Sequence, residues 1–345
     1  MMAKNFCEGA VFLAEAPTLV KNVVEKAKPP GLISSICSCP GKKSKLWSYF
    51  LALRPWSFTM TVISVAVGSI MGLLLQGAFS FGLALLVLIG MIAIHGATNL
   101  LNDYFDTIYG VDKPGAPTTL YRLHPIVSGL FSPRQALLFS LVLYSVTALI
   151  AIYIVGFRGW PIAALTITGG CASVAYTAGP IKYKYRGMGE ISVFLMWGPL
   201  MTLGSYFVQT GVFEGAVKVL FVSLPLGMLV AVVLLANNLK DLAYDSEMKI
   251  NTLAVRLGPS RSLKLFAWLI FGAYFLSSLE IFFGYLSWWA IAIFFSLPLA
   301  LHLIYVFNKD AGIPPDADPR TARLSTVFGL LVIFSLLTGY FIPFP

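Results

Sequence analysis

Charged residues are scarce in this sequence, and cysteines are too few to support a covalent framework. Only 11% of the 345 residues are charged, whereas soluble domains carry roughly 25%. The four cysteines show no spacing typical of a disulfide framework or a zinc site. These shortages exclude an ordinary soluble domain and a disulfide-rich secreted module. Because 58% of the residues are hydrophobic, we predict an integral membrane protein.

Apolar runs of about 20 residues, each long enough for a helix to cross a ~30 Å hydrocarbon core, occur nine times. They cover residues 57–76, 81–101, 135–155, 160–178, 190–209, 217–237, 264–284, 288–307 and 323–343. We therefore predict an all-α integral membrane protein with nine transmembrane helices in a single bundle around a central cavity. Residues 1–47 lack the apolar core of a signal peptide and are predicted to be an N-terminal cytoplasmic extension. The transmembrane domain would then cover residues 48–345.

Basic residues are distributed unevenly between the two ends of these spans. When the N-terminus is placed in the cytoplasm, only Arg158 and Lys218 of the 24 Lys and Arg fall on the opposite side. By the positive-inside rule, this asymmetry predicts a cytoplasmic N-terminus and a cavity that opens toward the cytoplasm. Membrane topology thus accounts for the net charge of +9, and we predict no nucleic-acid partner.

Two clusters of acid and amide residues end apolar runs on the predicted cytoplasmic side. In the first acidic cluster, Asn99, Asp103 and Asp106 are spaced i, i+4 and i+7, so they would share one helix face. The second acidic cluster contains Asn237, Asn238, Asp241 and Asp245. A charge at membrane depth costs on the order of 3 kcal/mol unless a partner neutralises it. The repetition four spans later predicts a weak internal repeat with a site between its halves.

The ligand types in the two clusters favour one kind of metal. Oxygen ligands without cysteine or a histidine pair favour Mg²⁺ over zinc, and Mg²⁺ binds one or two carboxylates together with phosphate oxygens. The candidate metal ligands are Asp103, Asp106, Asp241 and Asp245. Two metal positions bridged by a diphosphate would satisfy them. Such a site suits the ionisation of an allylic diphosphate next to apolar walls that exclude water.

The loop 102–134 is long for a membrane protein, and long loops are often binding loops. It mixes the acid Asp112 with the cations Lys113 and Arg122, as a diphosphate site requires. His95 lies one turn before Asn99, and a lone helical histidine is more typical of a hydrogen-bonding residue in a bundle than of a ligand. The Pro-rich run 308–322 is predicted to be a solvated connector.

Four stretches of the sequence resemble the UbiA-type superfamily of intramembrane prenyltransferases. They are LRP at 53–55, NLLNDYFDTIYGVDKP at 99–114, YRGMGEISVFLMWGPLMTLGSYFVQTG at 185–211 and NNLKDLAYDSEMKINTLAVRLG at 237–258. With the nine-span pattern, the resemblance covers about residues 48–345. The sequence is most similar to the 1,4-dihydroxy-2-naphthoate prenyltransferases of menaquinone synthesis. It departs from the family at Lys249, where a glycine usually precedes the TL-x-x-x-LG run.

The resemblance implies a Mg²⁺-dependent transfer of a polyprenyl group from an isoprenyl diphosphate to an aromatic acceptor, with 1,4-dihydroxy-2-naphthoate as the expected acceptor. It also implies that Asn99 lies beside the ionising carbon or the metal and that Tyr176 lines the reaction centre. The predicted catalytic residues are Asn99, Asp103, Asp106, Tyr176, Asp241 and Asp245. The predicted substrate-binding residues are Arg54, Asn102, Asp112, Lys113, Arg122, Lys182, Lys184, Asn237, Asn238 and Lys240.

Other functions stay open at this stage. The loop TTLYRLHPIVSG at 118–129 is more similar to the homogentisate, chlorophyll and archaeal branches, so homogentisate, 4-hydroxybenzoate or an archaeal lipid precursor is an alternative acceptor. An ion-coupled transporter would need acids dispersed through the spans and polar vestibules on both faces, whereas the predicted outer loops are very short. An inactive scaffold is disfavoured because both acidic clusters are complete.

Overall fold

The computed structural model describes residues 45–309 and 312–342, and every regular element in these two ranges is helical. The predicted extension 1–47, including Cys7, Cys37 and Cys39, lies outside the described residues except for its last three positions. The compact unit Tyr49–Pro345 contains all of the site described below.

The helices follow one another with few long connections. In chain order they are α1 (Lys45–Ala52), α2 (Phe58–Gln76), α3 (Phe81–Ile108), α4 (Pro117–Tyr121), α5 (Pro133–Arg158), α6 (Trp160–Ala175), α7 (Gly189–Thr210), α8 (Ala216–Lys240), α9 (Leu242–Glu247), α10 (Leu253–Phe282), α11 (Trp288–Phe307) and α12 (Ala317–Phe341). Short 3₁₀ turns cover Pro55–Ser57 and Tyr183–Arg186, and the first half of α11 is also 3₁₀.

Eight of the described helices are long and apolar enough to cross a membrane, namely α2, α3, α5, α7, α8, α10, α11 and α12. Each corresponds to one predicted span, so the prediction of an all-helical, multi-pass membrane protein is confirmed. Helix α6 corresponds to the remaining predicted span, 160–178. It is apolar but has only 16 residues, which gives about 24 Å at 1.5 Å per residue and is shorter than the hydrocarbon core.

Several helices extend beyond the apolar runs that predicted them. Helix α3 continues to Ile108 and α12 begins at Ala317, whereas α10 begins at Leu253 but is interrupted by a kink at Gly258, where φ is 75° and ψ is 167°. Hydropathy detects the segment of a helix that lies in lipid, whereas the backbone hydrogen bonds continue through polar residues at the interface. The prediction that residues 308–322 form a solvated connector is therefore wrong for residues 317–322, which form the first turn and a half of α12.

Helix α8 lies at the centre of the bundle and packs against α7, α10 and α12. Its contact with α7 is close because glycines face each other there. A Cβ atom added to Gly198 would lie 2.9 Å from Gly227 Cα, and one added to Gly227 would lie 2.6 Å from the Phe194 carbonyl oxygen. Small residues allow such an approach inside a membrane. Pro199, which lacks a backbone N–H, lies in a π turn of α7 at the same level.

Candidate active site

Asp103, on α3, has no exposed surface, and two arginines neutralise its carboxylate. Arg122 donates to both oxygens, with Nη2–Oδ1 and Nη1–Oδ2 distances of 2.6 and 3.1 Å, and Arg54 donates to Oδ1. Bidentate pairs of this kind are among the strongest side-chain hydrogen bonds. Arg54 has a left-handed backbone, with φ of 60°, and its carbonyl oxygen accepts from Ser57 N and Oγ. This costly conformation orients the guanidinium toward α3.

Asp106, one turn later on α3, is neutralised by a different cation. Lys184 Nζ lies 2.5 Å from Asp106 Oδ2 and 3.0 Å from Asn102 Oδ1. Asn102 Nδ2 donates to the same Asp106 oxygen at 2.9 Å, and the Tyr185 hydroxyl donates to the other one. Lys184 and Tyr185 belong to the 3₁₀ turn Tyr183–Arg186. This turn therefore brings the loop after α6 against the end of α3.

Asp112 fixes the long loop that follows α3. Its Oδ1 accepts from Thr118 Oγ1 at 2.5 Å, and its Oδ2 accepts from His124 Nε2 at 3.0 Å. Because His124 Nδ1 accepts from two backbone N–H groups that follow it, the ring proton lies on Nε2. Asp103, Asp112 and His124 lie close enough together for a metal site. Since both ring nitrogens are already used, His124 holds the loop in place and is no free metal ligand.

The second acidic cluster, at the end of α8 and in α9, has far fewer partners. Asp241 is 6% exposed, and its Oδ1 makes no hydrogen bond to any residue that the structure describes. Asp245 Oδ2 accepts one hydrogen bond, from Thr252 Oγ1 at 3.3 Å. Within the described ranges, no ion pair reaches either carboxylate. Burial raises the pKa of Asp241 to about 6 and the pKa of Asp245 to about 7.

The amides of the second acidic cluster connect it to neighbouring elements. Asn238 Nδ2 donates to the buried Glu190 Oε1, at the start of α7, at 2.8 Å. Asn237 Oδ1 accepts from Tyr121 OH at 3.3 Å and from Lys240 Nζ at 3.1 Å. Tyr121 ends α4, which is part of the long loop after α3. The loop of the first acidic cluster therefore contacts the second one directly.

Both acidic clusters border one cavity of about 350 Å³. Its polar mouth is lined by Arg54, Asn99, Asn102, Asp106, Tyr121, Arg122, Lys184, Asn237, Asn238 and Asp318. Its interior is apolar and is lined by α3, α5, α6 and α7, with Val87, Met91, Ile150, Ile154, Leu165 and Val208 among the lining residues. A charged mouth above an apolar interior suits a ligand that has an anionic head and a hydrocarbon tail.

The predicted catalytic residues take two kinds of position around this mouth. Asn99 and Tyr176 line the cavity, as Asp106 does, and Asn99 Nδ2 donates to the Leu53 carbonyl oxygen at 2.9 Å. The remaining carboxylates, those of Asp103, Asp241 and Asp245, are buried and are not among the lining residues. His95 makes hydrogen bonds to two hydroxyl groups of the bundle, in agreement with its predicted role.

Four predicted substrate-binding residues are not among those that line the cavity, namely Asp112, Lys113, Lys182 and Lys240. Lys113 is exposed, and the Lys182 ammonium group lies 3.4 Å from the centroid of the Tyr109 ring. Lys182 has a left-handed backbone with φ of 45°. Lys249 also has a positive φ, 57°. This conformation explains why a glycine is usual at that position in the sequences that the chain resembles.

Residues that the sequence did not assign also contribute to the mouth. Tyr185 and Glu190 contact Asp106 and Asn238, and both lie in the stretch 185–211. Asp318 was predicted to lie in the solvated connector, yet it lines the mouth. An acid in the first turn before an apolar helical run is a signal that could have identified Asp318.

The raised pKa values predict a specific pH dependence of stability. Because both carboxylates titrate at higher pH in the folded protein than in the unfolded chain, their cost to folding is complete above pH 7 and disappears as the pH falls toward 4. We expect the metal-free protein to gain on the order of 2 kcal/mol per carboxylate relative to an Asp241→Asn/Asp245→Asn variant between pH 8 and pH 5. Thermal unfolding at several pH values measures this difference. Parallel pH profiles for the two proteins would contradict it.

A bundle of membrane helices with two acidic clusters at the charged mouth of an apolar cavity defines a class of membrane protein that holds an amphiphilic anion. Comparison with protein families identifies the class further, because the model of the UbiA prenyltransferase family matches residues 61–328. The chain belongs to this family and is a prenyltransferase.

Individual relatives agree with this assignment. The UbiA prenyltransferase domain-containing protein 1 of Danio rerio is 32% identical over 300 residues, which cover 86% of this chain and 85% of the relative. The protein of the same name from Homo sapiens is 30% identical over 306 residues, with the same coverage. The apo structure of a UbiA homolog from Aeropyrum pernix K1 superposes with a TM-score of 0.61 at 14% identity, covering 81% of this chain and 98% of that chain. This last similarity shows a shared fold.

Proposed function

We propose that the protein transfers a polyprenyl group from an isoprenyl diphosphate to an aromatic acceptor in a Mg²⁺-dependent reaction. One observation carries this proposal: Asp106 of the first acidic cluster, the amides of the second and three cations line the mouth of a cavity with an apolar interior. The amides are Asn237 and Asn238, and the cations are Arg54, Arg122 and Lys184. The diphosphate would lie at the mouth, and the prenyl chain would lie in the apolar part.

The residues present fit a hard divalent cation. Asp241 has a buried carboxylate oxygen without a partner, and both of the clusters offer only oxygen ligands. The cation would be held by Asp241 and Asp245, together with Asp103 and Asp106 across the mouth. When bound, Mg²⁺ supplies Lewis-acid stabilisation of the departing diphosphate.

The chain's own residues would bind, orient and protect the reacting groups. Arg54, Arg122 and Lys184 would neutralise diphosphate oxygens and hold the allylic carbon near Asn99 and Tyr176. The carbon–oxygen bond to the diphosphate breaks, and the diphosphate leaves with the electron pair. An electron-rich carbon of the acceptor then attacks the allylic cation and gives up its proton to the released diphosphate. The Tyr176 ring can stabilise the cationic charge, and the apolar walls exclude water that would quench it.

The acceptor that we propose is 1,4-dihydroxy-2-naphthoate, which would make the reaction a step of menaquinone biosynthesis. Two observations support it. The stretch 185–211 resembles the naphthoate branch, and its Tyr185 and Glu190 form hydrogen bonds with the mouth residues Asp106 and Asn238. Homogentisate, 4-hydroxybenzoate and archaeal lipid precursors are the alternative acceptors, and the reaction products distinguish among them.

We also propose a topology of nine spans with α6 as the short one, and with the N-terminus and the cavity mouth on the cytoplasmic side. The support is the distribution of basic residues, since only Arg158 and Lys218 fall on the opposite side. In this topology residues 1–47 form the cytoplasmic extension, and residues 48–345 form the prenyltransferase domain.

The proposed reaction predicts a product that can be identified by its mass. Purified protein incubated with geranylgeranyl diphosphate, Mg²⁺ and a panel of aromatic acceptors should prenylate 1,4-dihydroxy-2-naphthoate. Chelation with EDTA should lower turnover at least about 10²-fold, and added Mg²⁺ should restore it, because the diphosphate cannot depart without charge stabilisation. Prenylation of another acceptor alone would correct the acceptor. An intact diphosphate with every acceptor, or full turnover in EDTA, would contradict the reaction.

A further inference from the structure

We propose that Asp318 is a positioning residue that holds Lys240 away from Asp241, so that the second acidic cluster stays free for a divalent cation. This inference rests on the proposed function, because it concerns how the site keeps a metal ligand available. Asp318 lies in the first turn of α12, far along the chain from both acidic clusters.

Three neighbouring groups contact the ammonium group of Lys240. Its Nζ lies 2.9 Å from Asp318 Oδ1, 3.1 Å from Asn237 Oδ1 and 3.4 Å from the centroid of the Tyr121 ring. The Lys240 side chain is only 7% exposed, and that of Asp318 is 17% exposed, so water screens this ion pair little. Both side chains of this ion pair are therefore largely buried, and the pair is not a surface contact.

Asp241 is next to Lys240 in the sequence, yet the two side chains form no ion pair. Asp241 Oδ1 is buried and makes no hydrogen bond, which is costly for a carboxylate oxygen. Lys240 and Lys184 are the two cations whose charges act most strongly on Asp241. Each of them is bound by a different carboxylate, Lys240 by Asp318 and Lys184 by Asp106.

In the first acidic cluster, no second carboxylate such as Asp318 forms an ion pair with the neighbouring cations among the described residues. There the carboxylates of Asp103 and Asp106 are occupied by Arg54, Arg122 and Lys184. A lysine adjacent to Asp241 would occupy that carboxylate in the same way if it were released. Without the Asp318 carboxylate, Lys240 would turn to Asp241, and a metal ion would then have to displace it.

Titration of Mg²⁺ against thermal unfolding tests this inference without relying on turnover. Metal that binds the folded protein raises its unfolding temperature, and the concentration dependence of this rise gives an apparent affinity. We expect Asp318→Ala to weaken the apparent Mg²⁺ affinity about 10–100-fold, as the loss of an outer-shell partner typically does. Asp318→Glu, which retains the carboxylate, should restore the affinity.

A second variant separates the positioning role from a direct ligand role. In Asp318→Ala/Lys240→Met the competing cation is gone, so the apparent Mg²⁺ affinity should return to the wild-type value. If Asp318→Ala fails to fold, Asp318→Leu/Lys240→Met provides the same test, because it replaces both charged side chains with apolar ones. The matched control is Asp316→Ala, which removes an exposed ion pair with Arg320 at 2.8 Å on the same helix start.

The possible outcomes are distinct. An unchanged Mg²⁺ affinity in Asp318→Ala overturns the inference, and so does a loss that Lys240→Met fails to reverse. If the control Asp316→Ala weakens Mg²⁺ to the same extent, the effect is not specific to Asp318 and the inference is equally overturned. If the wild-type protein itself shows no Mg²⁺-dependent shift, the proposed metal-dependent function fails, which is a different result from any of these.

Discussion

Replacing Asp241 with asparagine is expected to lower the rate of prenyl transfer about 10²–10³-fold and, at the same time, to make the metal-free protein more stable. The rate falls because, in the proposed function, Asp241 would supply a preorganised charge that holds the metal beside the departing diphosphate. Stability rises because the wild-type carboxylate is 6% exposed and carries an oxygen without a hydrogen-bond partner. With its pKa raised to about 6, ionised Asp241 costs the folded state on the order of 2–3 kcal/mol above that pH.

Turnover with saturating Mg²⁺ and thermal unfolding in EDTA at pH 8 measure the two effects on the same preparation. Asp316→Asn is the matched control, because Asp316 is an exposed acid in an i, i+4 pair with Arg320, and its replacement should change neither quantity by much. Full turnover of Asp241→Asn would remove Asp241 from the metal site. A loss of turnover accompanied by a lower unfolding temperature would point to a structural role instead.

Much of the architecture could be predicted from the sequence because membrane spans are long, apolar and bounded by charge. The two acidic clusters stand out for the same reason, since Asp103 and Asp241 are carboxylates at the ends of otherwise apolar runs. Their helical spacing predicted which residues share a face. What the structure adds is that residues of both acidic clusters line the mouth of one cavity.

Contacts between residues distant in the chain could not be predicted in this way. Asp318 of α12 lines the mouth and accepts a hydrogen bond from Lys240, and Glu190 of α7 accepts one from Asn238. Neither hydropathy nor helical spacing records which side chain faces which across a bundle. Asp318 was further hidden because it lies among prolines and acids, a composition that is typical of solvated connectors.

The two acidic clusters look alike in the sequence but differ electrostatically in the structure. Asp103 and Asp106 each have a cation within ion-pairing distance, whereas Asp241 and Asp245 have none among the described residues. The difference arises from the surrounding loops, because their residues Arg54, Arg122 and Lys184 form ion pairs with the carboxylates of α3. Loss of an acid should therefore affect stability in opposite directions in the two clusters, although it should impair activity in both.

Asp103→Asn is accordingly expected to destabilise the protein by about 3–5 kcal/mol, because it leaves Arg54 and Arg122 without their counter-charge in a buried site. Replacing both members of the bidentate pair, as in Asp103→Asn/Arg122→Gln, removes most of the uncompensated charge and should recover much of the lost stability. Neither variant should regain turnover, since both lack the carboxylate, and the double variant also lacks the guanidinium that is proposed to bind the diphosphate. Chemical or thermal unfolding of the two variants beside wild type measures the recovery. If the free energy of unfolding of the double variant were no higher than that of Asp103→Asn, the loss of stability would not come from uncompensated charge in this cluster. The opposite effects expected for Asp103→Asn and Asp241→Asn would then have no electrostatic explanation.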